Sequence, residues 1–442
     1  MNQPNLDHQL RASLAHELHA RPFLGIGGSV ALTHLAIYTE GDTTNHEAIL
    51  RSLCELTDLA EPTEGTTHYT ARWNNGRQLK WEKHTEFSTF TFVADRHDSD
   101  FFSGLATEHV PPEWLHTIEG KRLVAVRMEL ASGEAALAAS ANMDQWIDTS
   151  GMVGSNVMGD GQVYCDWTIK PDGYSRFLVI DNGLRAAQGG RLLQRLYEIE
   201  SYRMMALLAL PVARDLGKSL DELQLSITAL MHSMDLCHET HHHTELLSQL
   251  THLAVEVEVL AGLGGRFSAS RAYEGLVLAR IRELREVRIE GMPTIDQFLD
   301  RRFGPAMDTC RAVWQRHEQV ASRVARAIDL LRTRVHLAQE EDTTRLLEGM
   351  NQTARSQLRL QHAVEGLSVA AISYYVLSLS SAALKALNAA SFELNSELIV
   401  GILIIPIVVL VLLATRYTKS SGSDTNPGSK PKAMKSGITD PD

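Results

Sequence analysis

Two charge-free apolar stretches near the C-terminal end constrain this chain more than any other feature: residues 366–384 (GLSVAAISYYVLSLSSAAL) and 398–414 (LIVGILIIPIVVLVLLA). Glu365 and Lys385 bracket the first, Glu397 and Arg416 the second. A bilayer core about 30 Å thick needs a helix of roughly 20 apolar residues, with a lower limit near 17. Both stretches meet that limit, so residues 364–417 are expected to form two transmembrane helices, 366–384 and 398–415. Everything N-terminal to them then becomes a folded part carried at a lipid bilayer.

The two expected spans differ. The first holds five serines and two tyrosines, and Gly366, Ala370, Ser373 and Ser380 lie on one side of it. Small and hydroxyl residues let helices approach closely and hydrogen-bond in lipid, or they line a wet path, so these four are candidate pore-facing or helix-packing residues. The second span is Ile, Leu and Val almost throughout, as a lipid-facing helix requires. Arg355 and Arg359 precede the first span, and Arg416, Lys419, Lys430, Lys432 and Lys435 follow the second. The excess of positive charge outside the loop predicts that both termini face the cytoplasm. Residues 418–442, rich in Ser, Gly, Pro and Lys, are expected to be a disordered basic tail.

The formal net charge of -12 gives no basic footprint and argues against a nucleic-acid partner. Cys54, Cys165, Cys237 and Cys310 form no CxxC pair, which suits a reducing compartment without a disulfide framework or thiolate zinc site. The opening MNQPNLDHQLRASL lacks a basic segment followed by an apolar core, so no signal peptide is expected.

Residues 1–183 read as an α/β domain with a mixed sheet, and the chain as a whole as α+β. Runs rich in β-formers occupy 29–38, 66–73, 77–84, 86–93, 121–130, 162–169 and 174–181. Asn74-Asn75-Gly76 and Pro171-Asp172-Gly173 supply the turn residues between neighbouring runs. Residues 45–59 space Ala48, Leu50, Leu53, Leu56 and Leu59 as one helical face. Two segments, ELHARPF (17–23) and WEKHTEF (81–87), mix charge and apolar character unusually. His19 or His84 beside a carboxylate would be a candidate general acid or base. Neither a nucleophile nor a Gly-rich phosphate loop accompanies them, so they read as a helix end and strand faces with ordinary salt bridges. No enzyme activity and no cofactor are expected.

Residues 184–363 read as a helical stalk region. One helix is expected over 191–210, broken by Pro211. Another is expected from a capping box at Ser219-Leu220-Asp221-Glu222 to about Leu263, and a third over 268–289. Thr294-Ile295-Asp296-Gln297 is a second capping-box pattern. After Pro305 no proline occurs until Pro406, and apolar residues from Val313 to Leu358 recur at helical and partly heptad spacing. Such a helix would exceed roughly 100 Å at 1.5 Å per residue, and it needs neighbouring helices or further copies along it. His238, His242 and Glu245 fall on one face, spaced as two imidazoles and a carboxylate that could bind a metal cation. The opposite face, Met234, Leu246, Leu250, Leu253 and Val257, is the apolar one, which leaves the histidines solvated.

Several long stretches carry a family likeness: ELHARPF (17–23), WEKHTEFSTFTF (81–92), DGYSRFLV (172–179), GRLLQRLYEIESYRMMALLALPVAR (190–214), RFSASRAY (266–273), RIRELREVRI (280–289), RRFGPAMDTC (301–310) and LRLQHAVEGLSVAAISYY (358–375). By these the chain resembles the bacterial membrane-anchored family called domain of unknown function 3422. That resemblance implies anchoring in a bacterial inner membrane and little about activity. The layout is also distantly similar to the CorA family of divalent-cation channels, homo-oligomers whose first span lines a pore. That family carries Gly-Met-Asn at the outer end of the first span, where this chain has Lys385-Ala386-Leu387-Asn388; its Gly349-Met350-Asn351 lies on the wrong side. Two functions follow as expectations: a homo-oligomeric CorA-like ion channel or transporter, with a cation as possible cargo, or a membrane-tethered scaffold.

Overall fold

The structure, a computed structural model, describes residues 7–8, 10–11, 15, 23–40, 44–96, 100–236, 240–388 and 396–421. The chain divides into two compact units, Met1–Arg332 and Thr333–Asp442. The expected boundary near residue 183 falls inside the first unit, because sheet and helices there share one apolar core.

Nine strands form one mixed sheet in the order β2-β3-β4-β1-β5-β8-β7-β6-β9. They are β1 (Val30–Tyr38), β2 (His68–Arg72), β3 (Gln78–Lys83), β4 (Phe87–Asp95), β5 (Arg122–Ser132), β6 (Val153–Val157), β7 (Gly161–Cys165), β8 (Ser175–Asp181) and β9 (Val287–Arg288). Every pairing is antiparallel except β5 with β8. The β2–β3 turn uses Gly76 at φ +84°, and Gly173 sits at φ +81° before β8, as the turn compositions predict. Of the nine, β6 and β9 lie outside the expected strand runs.

Helices cover both faces of the sheet. On one face, α1 (Thr44–Leu56) and α2 (Pro112–Thr117) bury Ile49, Leu50, Leu53 and Trp114 against Leu35, Leu79, Trp81, Phe90 and Phe92. There the short helix α3 (Glu134–Ala141) packs on β5 and β8. The other face meets α4 (Ala186–Leu207), which lies on β5 and packs against α7 (Gly264–Leu284). Between these helices come α5 (Ala209–Leu236) and α6 (Thr240–Ala261). Pro211 sits in the first turn of α5, where its missing N–H costs nothing, so it marks a helix start beside the expected break. Ser219 lies within α5, not at a helix start, and its hydroxyl points back to the Asp215 carbonyl at 3.5 Å. The single helix expected from Ser219 to Leu263 is therefore two, α5 and α6. The second capping box holds: Thr294 caps α8 (Ile295–Arg302), with Gln297 reaching back.

The last helices are α9 (Gly304–Asn388) and α10 (Ser396–Ser421). Among the described residues, His242–Leu284 and Ile295–Ala386 are helical stretches long and apolar enough to cross a membrane, and Gly401–Ala414 is a shorter apolar helix. In the first of these, Leu246, Leu250, Leu253, Val257, Phe267, Val277 and Ile281 are buried in the core of the first unit. The expected first span, 366–384, lies within the second.

Candidate functional site: a buried polar row between sheet and helix

On the sheet face toward α4, which is mostly apolar, a row of polar side chains lies near one end. Register fixes the row: Lys80 lies opposite Thr91 and Glu82 opposite Thr89, and Thr91 lies opposite His34 on β1. All five are buried. Buried polar groups need partners, and α4 supplies several of them.

His34 Nδ1 lies 2.8 Å from Thr91 Oγ1, and Nε2 lies 2.9 Å from Ser201 Oγ. Its ring stacks on Tyr197 at 4.2 Å. Burial holds the imidazole pKa down to about 3, with His84 and Lys80 acting in the same direction. The ring is therefore neutral, donating from one nitrogen and accepting at the other. Burial, reinforced by Glu82 and Glu198, pushes the Tyr197 hydroxyl well above its ordinary range. Lys80 and Glu82 form an ion pair at 3.3 Å with side chains 1% and 6% exposed. Lys80 Nζ makes no hydrogen bond to any described residue.

Beside this row lies a cavity of about 250 Å³ between β1, β3, β4, α4 and α7. Glu198 accepts from Gln194 Nε2 at 2.7 Å, from Arg195 Nη1 at 3.3 Å, and from Arg280 of α7. Arg195 and Arg280 also pair with Glu283. Burial acts to lower the Arg280 pKa, but Glu198 and Glu283 outweigh it and raise the group above its ordinary value. His84 stacks on Phe87 at 4.2 Å and meets Tyr202 edge-on. Arg266 of α7 grips Glu86 with two bonds of 2.7 Å each, tying that helix to the turn before β4. At the cavity's edge the Arg191 guanidinium lies over the Phe23 ring at 5.2 Å.

Phe23 reaches that position because the chain runs tightly over α4. A Cβ on Gly190 would sit 2.0 Å from the Leu24 carbonyl oxygen. Gly190→Ala is therefore expected to destabilise the protein by about 1–3 kcal/mol and to loosen the Phe23–Arg191 contact. A urea titration against wild type measures the first effect.

The residues singled out in the sequence fall in different places. His84 lines the cavity, but its carboxylate neighbour Glu82 is engaged with Lys80. His19 and His238 lie outside the described residues. His242 and Glu245 are exposed, and Glu245 accepts from Gln249 at 3.0 Å. Among the described residues no group of His, Cys, Asp and Glu is placed to hold a metal ion. On α9, Gly366 and Ala370 are exposed, Ser373 is buried, and Ser380 is half-buried with its hydroxyl on the Val376 carbonyl at 2.8 Å. Sequence reasoning missed His34, Lys80, Tyr197 and Ser201. One signal was present: every lining residue of the cavity except His34 falls in the stretches 17–23, 81–92, 190–214 or 280–289, which carry the family likeness.

Fold and site together define an α+β protein with a three-layer unit, a buried polar site under one helix layer, and helices long and apolar enough to cross a membrane. The chain belongs to the family described as protein of unknown function (DUF3422), which matches residues 6–421. Neither the curated proteins nor the solved structures give a significant match.

Proposed function

We propose that this protein is a membrane-anchored homo-oligomer that presents its first unit at the cytoplasmic face of a bacterial inner membrane, as a tether or interaction platform. Apolar exposure in the second unit carries the reading. Leu346, Met350, Leu360 and Leu367 of α9 are 68–75% exposed, as are Ile402, Ile405 and Leu410 of α10. Soluble monomers rarely leave so much contiguous apolar surface in water. Lipid covers 366–384 and 398–414 as a helical hairpin, and further copies cover the apolar positions of α9 before residue 363. The excess of Arg and Lys outside the hairpin loop supports cytoplasmic termini. The full chain is expected to sediment with membranes, to resist extraction by high salt, and to give an oligomeric mass by light scattering in detergent. A monomer that stays soluble without detergent overturns the reading.

An ion conduit on the CorA-like plan is a second reading, favoured by one observation. Ser373 is 5% exposed, and its hydroxyl has no hydrogen-bond partner among the described residues. A hydroxyl inside a span is satisfied by a neighbouring helix or by a wet path. If the path is wet, cation flux into reconstituted vesicles falls when Ser373 is replaced by Phe. Absence of flux for every cation tested leaves the tether.

A further inference from the structure

We propose that the cavity beneath α4 binds a small organic anion with a flat body, Arg191 supplying the counter-charge and Phe23, Phe87 and Tyr202 the walls. The inference concerns the first unit alone and stands apart from the membrane reading.

The argument rests on charges and their partners. Three guanidinium groups and two carboxylates line the cavity: Arg191, Arg195 and Arg280 against Glu82 and Glu198. Both carboxylates are already engaged. Glu82 faces Lys80, which lies in the sheet behind the cavity, and Glu198 accepts from Gln194, Arg195 and Arg280. Arg195 and Arg280 are further occupied by Glu283. That leaves Arg191, whose only described contact is the face of Phe23. Among the described residues, a cationic ligand finds no carboxylate without a partner, whereas an anion finds the Arg191 guanidinium without a carboxylate. The fork of that group matches a carboxylate or a phosphate in two-point geometry.

Size and walls narrow the class. At about 250 Å³ the space lies just below the range of roughly 300–1,000 Å³ typical for drug-sized ligands, so its occupant is small. Phe23, His84, Phe87 and Tyr202 present ring surface to it, with His84 and Phe87 stacked 9° from parallel. Planar apolar groups pack well on such walls. Neutral His34 adds no charge, and its two ring nitrogens are taken by Thr91 and Ser201.

The test is calorimetric titration of the full chain in detergent with benzoate, phenyl phosphate and inorganic phosphate. Benzoate or phenyl phosphate is expected to bind, and whichever is tighter tells a carboxylate from a phosphate head. Inorganic phosphate, lacking the flat body, is expected to bind at least tenfold more weakly. Arg191→Gln should weaken the tighter probe roughly tenfold to a hundredfold, while Arg191→Lys, keeping charge but losing the fork, should fall between. Arg191 is half-buried at the cavity's edge, so both variants should keep the wild-type melting midpoint and circular dichroism spectrum. Failure of both aromatic probes to bind the wild type overturns the proposal, as does equal binding by folded Arg191→Gln.

Discussion

Glu82→Ala is expected to cost about 3–5 kcal/mol of stability, because it leaves the Lys80 amine 1% exposed and without its ion-pair partner. Removing one member of a buried pair is far worse than removing both. A Lys80→Met, Glu82→Leu double variant should therefore recover most of the loss, since packed apolar side chains of similar volume replace the pair with no desolvation penalty. Urea unfolding midpoints of the single and double variants separate these outcomes. A Glu82→Ala loss under about 1 kcal/mol would mean that water reaches Lys80. The polar row would then be a hydrated channel instead of a dry pair.

Acid should destabilise the first unit well before its carboxylates titrate. His34 has a folded pKa of about 3 against an ordinary 6.5, held down by burial. His109, held down to about 4 by burial and by nearby Arg77, adds an effect of the same sign. Between those values and pH 6.5 the unfolded chain takes up protons that the folded chain refuses. Stability therefore rises with pH across that window and falls as pH drops through it, by up to about 1.4 kcal/mol per pH unit for His34 alone once pH is well below 6.5. Melting of wild type and His34→Gln between pH 7 and pH 5 checks this. The variant should start lower, having lost the bonds to Thr91 and Ser201, and should show the shallower slope. Equal slopes would mean that His34 becomes protonated in place.

Much of the first unit was legible because its strands carry local signals. Alternation and the Asn-Gly and Asp-Gly turns marked most of them, and the apolar spacing of residues 45–59 marked α1. The missed strands lack such signals: β6 reads Val-Gly-Ser-Asn-Val and β9 is two exposed residues. Their pairing is set by long-range contacts, Ser155 with Arg288 among them. The family of the chain was legible from its long motifs, and the family match over residues 6–421 bears that out. The site was half legible. The segment WEKHTEF stood out, and Glu82 and His84 do face the cavity, but the pairing of Glu82 with Lys80 could not be read. In Gln78–Lys83 the polar residues alternate as they would on a strand with one wet face. Only the tertiary placement of α4 over that face turns an ordinary solvated stripe into a buried ion pair. His34 was hidden for the same reason, since it and Thr33 are the polar pair in a strand otherwise rich in apolar residues.

The polar row also bears on how the chain behaves while it is being made. Lys80, Glu82, Thr89, Thr91 and His34 all leave the ribosome before Ser201 of α4, which follows Lys80 by 121 residues (201 minus 80). At the usual 5–20 residues per second, that is roughly 6–24 seconds during which α4 does not yet cover that face of the half-built sheet. Charged and hydroxyl side chains at those positions keep the waiting surface wet and discourage edge-to-edge or face-to-face sticking between nascent chains. The same groups that α4 later seals from water thus act first as a temporary guard for an unfinished sheet.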